Sequence, residues 1–201
     1  MHDLVRQGYK VAGMKPIASG ARFQNGQLQN EDALALIQHA NSKADYTQVN
    51  PYCFEPAIAP HIAAYQAGVD ISLSLILESF TELSKDVDWV VVEGVGGWLV
   101  PINDEQVVAD IAVELQLPVI LVVGLQLGCI NHALLTMQSI RAKNVNITGW
   151  IANQLDPDLP ASDDIIKTLQ NKLNSNYLGH LPYFDKGQFD PMQTPTLNIE
   201  L

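Results

Sequence analysis

A lysine, a serine, two acids and a run of glycines are the residues here whose types and spacing could do chemistry. Glu93 closes the apolar run Asp88-Trp-Val-Val-Val-Glu93, and Gly94, Gly96 and Gly97 follow within four residues. A carboxylate at a strand end, beside backbone that no Cβ shields, suits Mg²⁺ held against phosphate oxygens. The plainer reading, a solvated acid at a Gly-rich turn, stays open at this point. Lys15 and Ser19 share the loop Lys15-Pro-Ile-Ala-Ser19-Gly20, which offers a cation, a hydroxyl and a bare peptide. Asp32 stands in the first turn of a helix that Asn30 can cap. Asn153 ends another apolar run.

These residues must be positioned by strands and helices in alternation. His2 to Gly8 reads as the last turns of a helix closed by glycine. Tyr9 to Met14 reads as a short strand that runs into the Lys15 loop. A helix begins at Asn30, and Asn50 to Pro60 is irregular, with three prolines. His61 to Gln66 is helical and stops at Gly68; Ser72 to Ser84 is an amphipathic helix. The strand ending at Glu93 reads as buried on both faces, as in a parallel sheet. Val107 to Leu115 is helical, Pro118 to Gly124 is another buried strand, and Asn131 to Ala142 is a helix. Asn146 to Asn153 is a strand, Ile165 to Leu173 a helix, and Tyr177 to Pro182 the last strand. This order predicts an α/β fold, doubly wound on a mostly parallel sheet. Lys15, Glu93, Asn153 and the loop at Pro182 then fall at strand carboxyl ends, where such folds bind mononucleotides.

The 201 residues, 47% hydrophobic and 16% charged, suit one globular domain spanning 1–201. A net charge of −11 argues against nucleic acid and anionic membranes as partners. Phosphates would need local help from lysine, Mg²⁺ or backbone N–H groups. Cys53 and Cys129 form no CxxC pair, and no apolar stretch spans a bilayer, so a cytoplasmic setting is expected.

Read together, these segments resemble dethiobiotin synthetase. The resemblance is carried in order by Lys15-Pro-Ile-Ala-Ser19-Gly, Asn-Glu-Asp32-Ala-Leu, Val-Asn-Pro-Tyr52, Pro60-His-Ile-Ala, Glu93-Gly-Val-Gly-Gly-Trp98, Leu-Gly128-Cys-Ile-Asn131-His and Gly-Trp-Ile-Ala-Asn153. It implies a P-loop NTPase-like fold and ATP-dependent closure of 7,8-diaminopelargonate with CO₂ to dethiobiotin. It further implies Mg²⁺ as cofactor and a homodimer with substrate at the interface. By the resemblance, Lys15 is catalytic, and Ser19, Gly96 and Asn131 meet the diamine, Asn131 from the partner subunit. Asp32 and Glu93 are the metal carboxylates. Gly94, Val95 and Gly96 form the turn beside the nucleotide. Asn153 and Gln154 face adenine, flanked by Leu181, Pro182 and Tyr183. Gly187 lacks a side chain that some relatives offer there.

The family's phosphate loop and first strand have no counterpart in this sequence. No G-x-x-x-x-G-K-[ST] run occurs in the 201 residues. Three readings follow: a ligase, a non-catalytic remnant that dimerises or binds the diamine without holding ATP phosphates, and a different P-loop relative. The Lys-Pro-x-x-Ser-Gly loop argues against the third.

Overall fold

Four buried residues, Val11-Ala-Gly-Met14, form the first strand, β1, with Val11 and Met14 wholly enclosed. In the computed structural model, which describes residues 1–185 and Leu197, the chain forms two compact units, Met1–Leu115 and Gln116–Leu201. Gly187 lies outside the described residues.

The first unit runs α1 (His2–Arg6), β1 (Val11–Met14), β2 (Ile17–Ala18), β3 (Arg22–Gln24), β4 (Gln27–Gln29), α2 (Glu31–His39), α3 (Tyr46–Val49), β5 (Tyr52–Cys53), α4 (Pro60–Ala67), α5 (Leu73–Leu83), β6 (Trp89–Val92) and α6 (Val108–Glu114). β1 pairs with β6 in parallel, from Val11↔Trp89 to Met14↔Val92, and β2 pairs with β5 in parallel. α2 lies close on β1. A Cβ on Gly13 would stand 2.7 Å from the Leu36 Cβ, so the approach needs glycine.

The second unit runs β7 (Val119–Leu125), α7 (Cys129–Ala142), β8 (Ile147–Gln154), α8 (Ser162–Leu173) and β9 (Tyr177–Leu181). Its three strands form one parallel sheet in the order β7-β8-β9. Trp150, Leu169 and Leu173 are fully buried in its core, and the Trp150 ring lies 4.8 Å from that of Tyr177. Burial of such side chains is the main stabilising term.

The alternation and the parallel pairing agree with the α/β, P-loop NTPase-like expectation. Several details do not. The strand before Glu93 is half-buried along β6, and Val122 in β7 is 56% exposed, where strands buried on both faces were expected. Among the described residues β6 pairs only with β1, and β7 only with β8, so each keeps one open edge. α7 opens at Cys129, not Asn131, with Gly128 as its cap at φ +91°. The stretch between Ser19 and Asn30 holds the hairpin β3–β4, turning at Asn25-Gly26 with φ of +52° and +84°. Positive φ at both central residues marks the turn that Asn-Gly favours. The irregular stretch after Asn50 contains β5, and the short helix α3 precedes it.

Candidate active site

The register of β1 and β6 places two of the chemically capable side chains together. Met14 and Val92 are partners, so Lys15 and Glu93 occupy the next step beyond both strands, at their carboxyl ends. The Glu93 N–H continues the ladder by donating to the Met14 carbonyl at 2.8 Å. The Lys15 ammonium donates to Glu93 Oε1 at 2.7 Å and to the Gly94 carbonyl at 2.9 Å. Asp32 Oδ2 lies 2.8 Å from the same nitrogen. An ammonium has three N–H donors, and three oxygens surround this one.

Asp32 reaches Lys15 because of how α2 starts. Asn30 Oδ1 accepts from the N–H groups of Asp32 at 3.0 Å and Ala33 at 3.3 Å, a side-chain cap that fixes the first turn. The helix dipole favours an acid in that turn.

Lys15 is only 4% exposed, whereas the side chains of Asp32 and Glu93 are 52% and 50% exposed. A buried ammonium needs opposite charge, and the two carboxylates supply it. The trio keeps one net negative charge, with carboxylate oxygens open to solvent. That donor set fits Mg²⁺, a hard cation that takes one or two protein carboxylates and completes its shell with water and phosphate oxygens. Among the described residues no cluster of three or more His, Cys, Asp or Glu could hold a metal alone. A metal here would depend on its substrate.

Around the cluster, Gly96 has φ +69° and a Cβ on it would meet Val100 at 3.1 Å, so the Gly94-Val95-Gly96 turn keeps its shape only with glycine. Ser19 Oγ is enclosed with no hydrogen-bond partner, as are His61 Nδ1 and Trp98 Nε1. An enclosed hydroxyl without a partner is costly unless a ligand supplies one.

In the second unit, Asn153 lies in β8 between Gly124 of β7 and Leu181 of β9, near the strands' carboxyl ends. Gln154 Nε2 donates to the Asp156 carbonyl at 2.6 Å, and its Oε1 lies 3.3 Å from His180 Nε2. Leu181 is half-buried; Pro182 and Tyr183 are exposed. Asn131 is exposed in the first turn of α7, one residue along from Ile130 and beyond the helix start, so it is not the cap. The structure thus groups Lys15, Asp32, Glu93 and Gly94 in one unit, and Asn153, Gln154 and Leu181 in the other.

Two residues near Lys15 escaped the sequence reading. Asn50 Nδ2 donates to the Lys15 carbonyl at 2.7 Å, and the Tyr46 hydroxyl donates to Asn50 Oδ1 at 2.9 Å. Asn50 stands in the Val-Asn-Pro-Tyr52 segment already noted for its resemblance, which was the one signal available.

Comparison with known proteins identifies the family. The profile of a family described as an AAA domain covers residues 2–188. The ATP-dependent dethiobiotin synthetase BioD of Aromatoleum aromaticum is 43% identical over 183 residues, covering 91% of this chain and 81% of that protein. This chain belongs to the dethiobiotin synthetase family. The same-named protein of Idiomarina loihiensis is 44% identical over 182 residues, covering 90% of this chain and 82% of the relative. That of Xylella fastidiosa is 43% identical over 187 residues, covering 93% and 83%. No helix among the described residues is long and apolar enough to cross a membrane.

Proposed function

We propose that the protein closes 7,8-diaminopelargonate with CO₂ to dethiobiotin at the expense of ATP, with Lys15, Asp32 and Glu93 as the reacting centre. The observation that carries this is a buried ammonium held by two half-exposed carboxylates, one at the adjacent strand end and one in the first turn of α2, within a chain of this family.

One amine of the diamine adds CO₂ and loses a proton, giving a carbamate. The carbamate oxygen takes the γ-phosphoryl group and ADP leaves. The second amine then attacks the carbonyl carbon, its C–N bond forms, the C–O bond to phosphate breaks, and the amine's proton leaves with the phosphate. Each step gathers anions in one place, so charge neutralisation and orientation are what the protein must supply. Lys15 would neutralise the carbamate and phosphoryl oxygens by exchanging one of its three contacts, to Glu93, Gly94 or Asp32, for one to the substrate. Asp32 and Glu93 would hold Mg²⁺, which would supply positive charge to offset that of the phosphate groups. With the dication the trio changes from one net negative to one net positive charge. Ser19 would take up a polar group of the diamine, and in the second unit Asn153 and Gln154 would meet the base, whose edge needs both donor and acceptor. Gly94 to Gly96 would pass beside the nucleotide, with Leu181, Pro182 and Tyr183 along the base. A homodimer, with Asn131 reaching the partner's substrate, is part of the same proposal.

Phosphate binding at a P-loop uses a ring of backbone N–H groups and a lysine, and no such motif occurs in these residues. The test is a purified-protein assay with the diamine, bicarbonate and MgATP, scoring dethiobiotin by mass spectrometry and phosphate release. The expected result is stoichiometric product from a chain extended at its amino end by a strand and phosphate loop, and none from the 201 residues alone. Two folded but inactive proteins would reverse the reading in favour of a non-catalytic remnant.

A further inference from the structure

A partly buried hydrogen-bond circuit joins the two ends of the Lys15–Asp32 ion pair through residues that touch neither carboxylate. Asn50 is 2% exposed and all its amide capacity toward the site is committed. Its Nδ2 donates to the Lys15 carbonyl at 2.7 Å and to the Tyr52 carbonyl at 3.0 Å. Its Oδ1 accepts from the Tyr46 hydroxyl at 2.9 Å. Two carbonyl acceptors on one side and a phenol donor on the other allow only one amide orientation. The Tyr46 oxygen in turn accepts the Asn30 N–H at 2.8 Å, and Cys53 Sγ lies 3.5 Å away. Asn30 then caps α2 through the N–H groups of Asp32 and Ala33. Its Nδ2 also lies 3.4 Å from the Ser19 carbonyl, to which it donates. The Lys15 peptide is held from its other side as well, its N–H donating to the Val49 carbonyl at 2.8 Å.

We propose that Tyr46 and Asn50 are positioning residues, which set the separation between the Lys15 ammonium and the Asp32 carboxylate by tying the lysine loop to the start of α2. The proposal rests on the assignment of Lys15 and Asp32 to the reacting centre. A lysine side chain has four freely rotating carbons, so its ammonium is placed only as well as its backbone is. Tyr46 opens α3 and Asn50 follows its last residue, Val49, as the C-cap, so both anchors come from this one short segment. A network serving stability alone would have no reason to end on the backbone of Lys15 and on the cap of the Asp32 helix.

The test is Tyr46→Phe, which keeps the ring and removes the hydroxyl that joins Asn30 to Asn50. Two readouts are taken on the full-length protein. One is the acylation rate of Lys15 by an amine-reactive ester, read peptide by peptide by mass spectrometry, with exposed Lys85 as internal reference. The other is kcat against KM for dethiobiotin formation. Labelling of Lys15 should rise about tenfold at a temperature where unfolding is negligible, while Lys85 labelling stays unchanged. The kcat should fall about tenfold with KM for the diamine little altered, the size typical of outer partners that orient a reacting group. Should Tyr46→Phe not fold, Asn50→Ser gives the same two readouts with the Lys15 carbonyl tie removed. Raised Lys15 labelling without dethiobiotin formation by the parent protein would uphold the circuit and overturn the functional reading. Lys15 labelling equal to that of the parent in both variants would overturn the circuit.

Discussion

The Lys15 ammonium and Glu93 Oε1 lie 2.7 Å apart, one register step beyond the Met14↔Val92 pair that ends the β1–β6 ladder. The contact is therefore a product of strand pairing. Two residues 78 positions apart in sequence meet because the two strands start in register and end together.

Lys15→Met keeps the length of the side chain and removes the charge that holds Asp32 and Glu93. With no cation between them, the carboxylates should take a free divalent ion more readily. A unit charge pair at 4 Å is worth about 4 kcal/mol near a protein surface, so even a third of that tightens binding roughly tenfold. Titration with Mn²⁺, followed by electron paramagnetic resonance without nucleotide, should show this gain while turnover is lost. Equal Mn²⁺ affinity in the two proteins would mean that Lys15 is not what satisfies the carboxylates.

Gly13→Ala should destabilise the first unit. The added methyl would stand 2.7 Å from the Leu36 Cβ, which is fixed to the helix backbone and cannot swing away. Overpacking of this kind costs about 1–3 kcal/mol. Because α2 must move back, Asp32 moves with it. A urea midpoint shifted down together with weaker Mg²⁺ dependence is the expected pair of results; an unchanged midpoint contradicts the close packing of α2 on β1.

Alkaline conditions should weaken the fold through the Tyr46–Cys53 pair. Burial pushes the Cys53 thiol above its ordinary value of 9.0, and burial, with the Cys53 hydrogen bond adding to it, pushes the Tyr46 phenol above its ordinary 10.0. Both groups keep their protons more tightly when folded. Their contribution is complete below the unfolded values and is lost as pH climbs through the raised folded ones. Urea midpoints should thus hold steady up to about pH 8.5 and then fall, less steeply in Cys53→Ala. A midpoint that rises above pH 9 would reverse the sign and refute this account.

Much of this architecture was legible in the sequence because apolar period and strand-end polarity report it directly. Lys15, Glu93 and Asn153 each follow an apolar run, and each stands at the carboxyl end of a strand or within its last residues. The hairpin at Asn25-Gly26 was not read from the sequence although Asn-Gly is a strong turn signal, because its strands are only three residues long with a single apolar residue each. The half-exposure of β6 was not legible, because burial depends on how many neighbours a strand has and Val-Val-Val reads the same with one or two. The Tyr46–Asn50 circuit was hidden for a related reason: the bond from Asn50 to Lys15 spans 35 positions, and only the folded register brings them together.

Replacing Glu93 by Gln tests the central claim most directly. The amide fills the same space but carries no charge, so it keeps a partner for Lys15 while losing a hard anionic ligand for Mg²⁺. Metal assistance is worth several kcal/mol, and about 2.7 kcal/mol corresponds to a hundredfold in rate. Dethiobiotin formation by the complete protein, measured across a Mg²⁺ titration, should drop roughly a hundredfold in Glu93→Gln with the circular dichroism spectrum and melting temperature retained. Parental rates at every Mg²⁺ concentration would show that Glu93 holds no metal, and the reacting centre assigned to Lys15, Asp32 and Glu93 would fall.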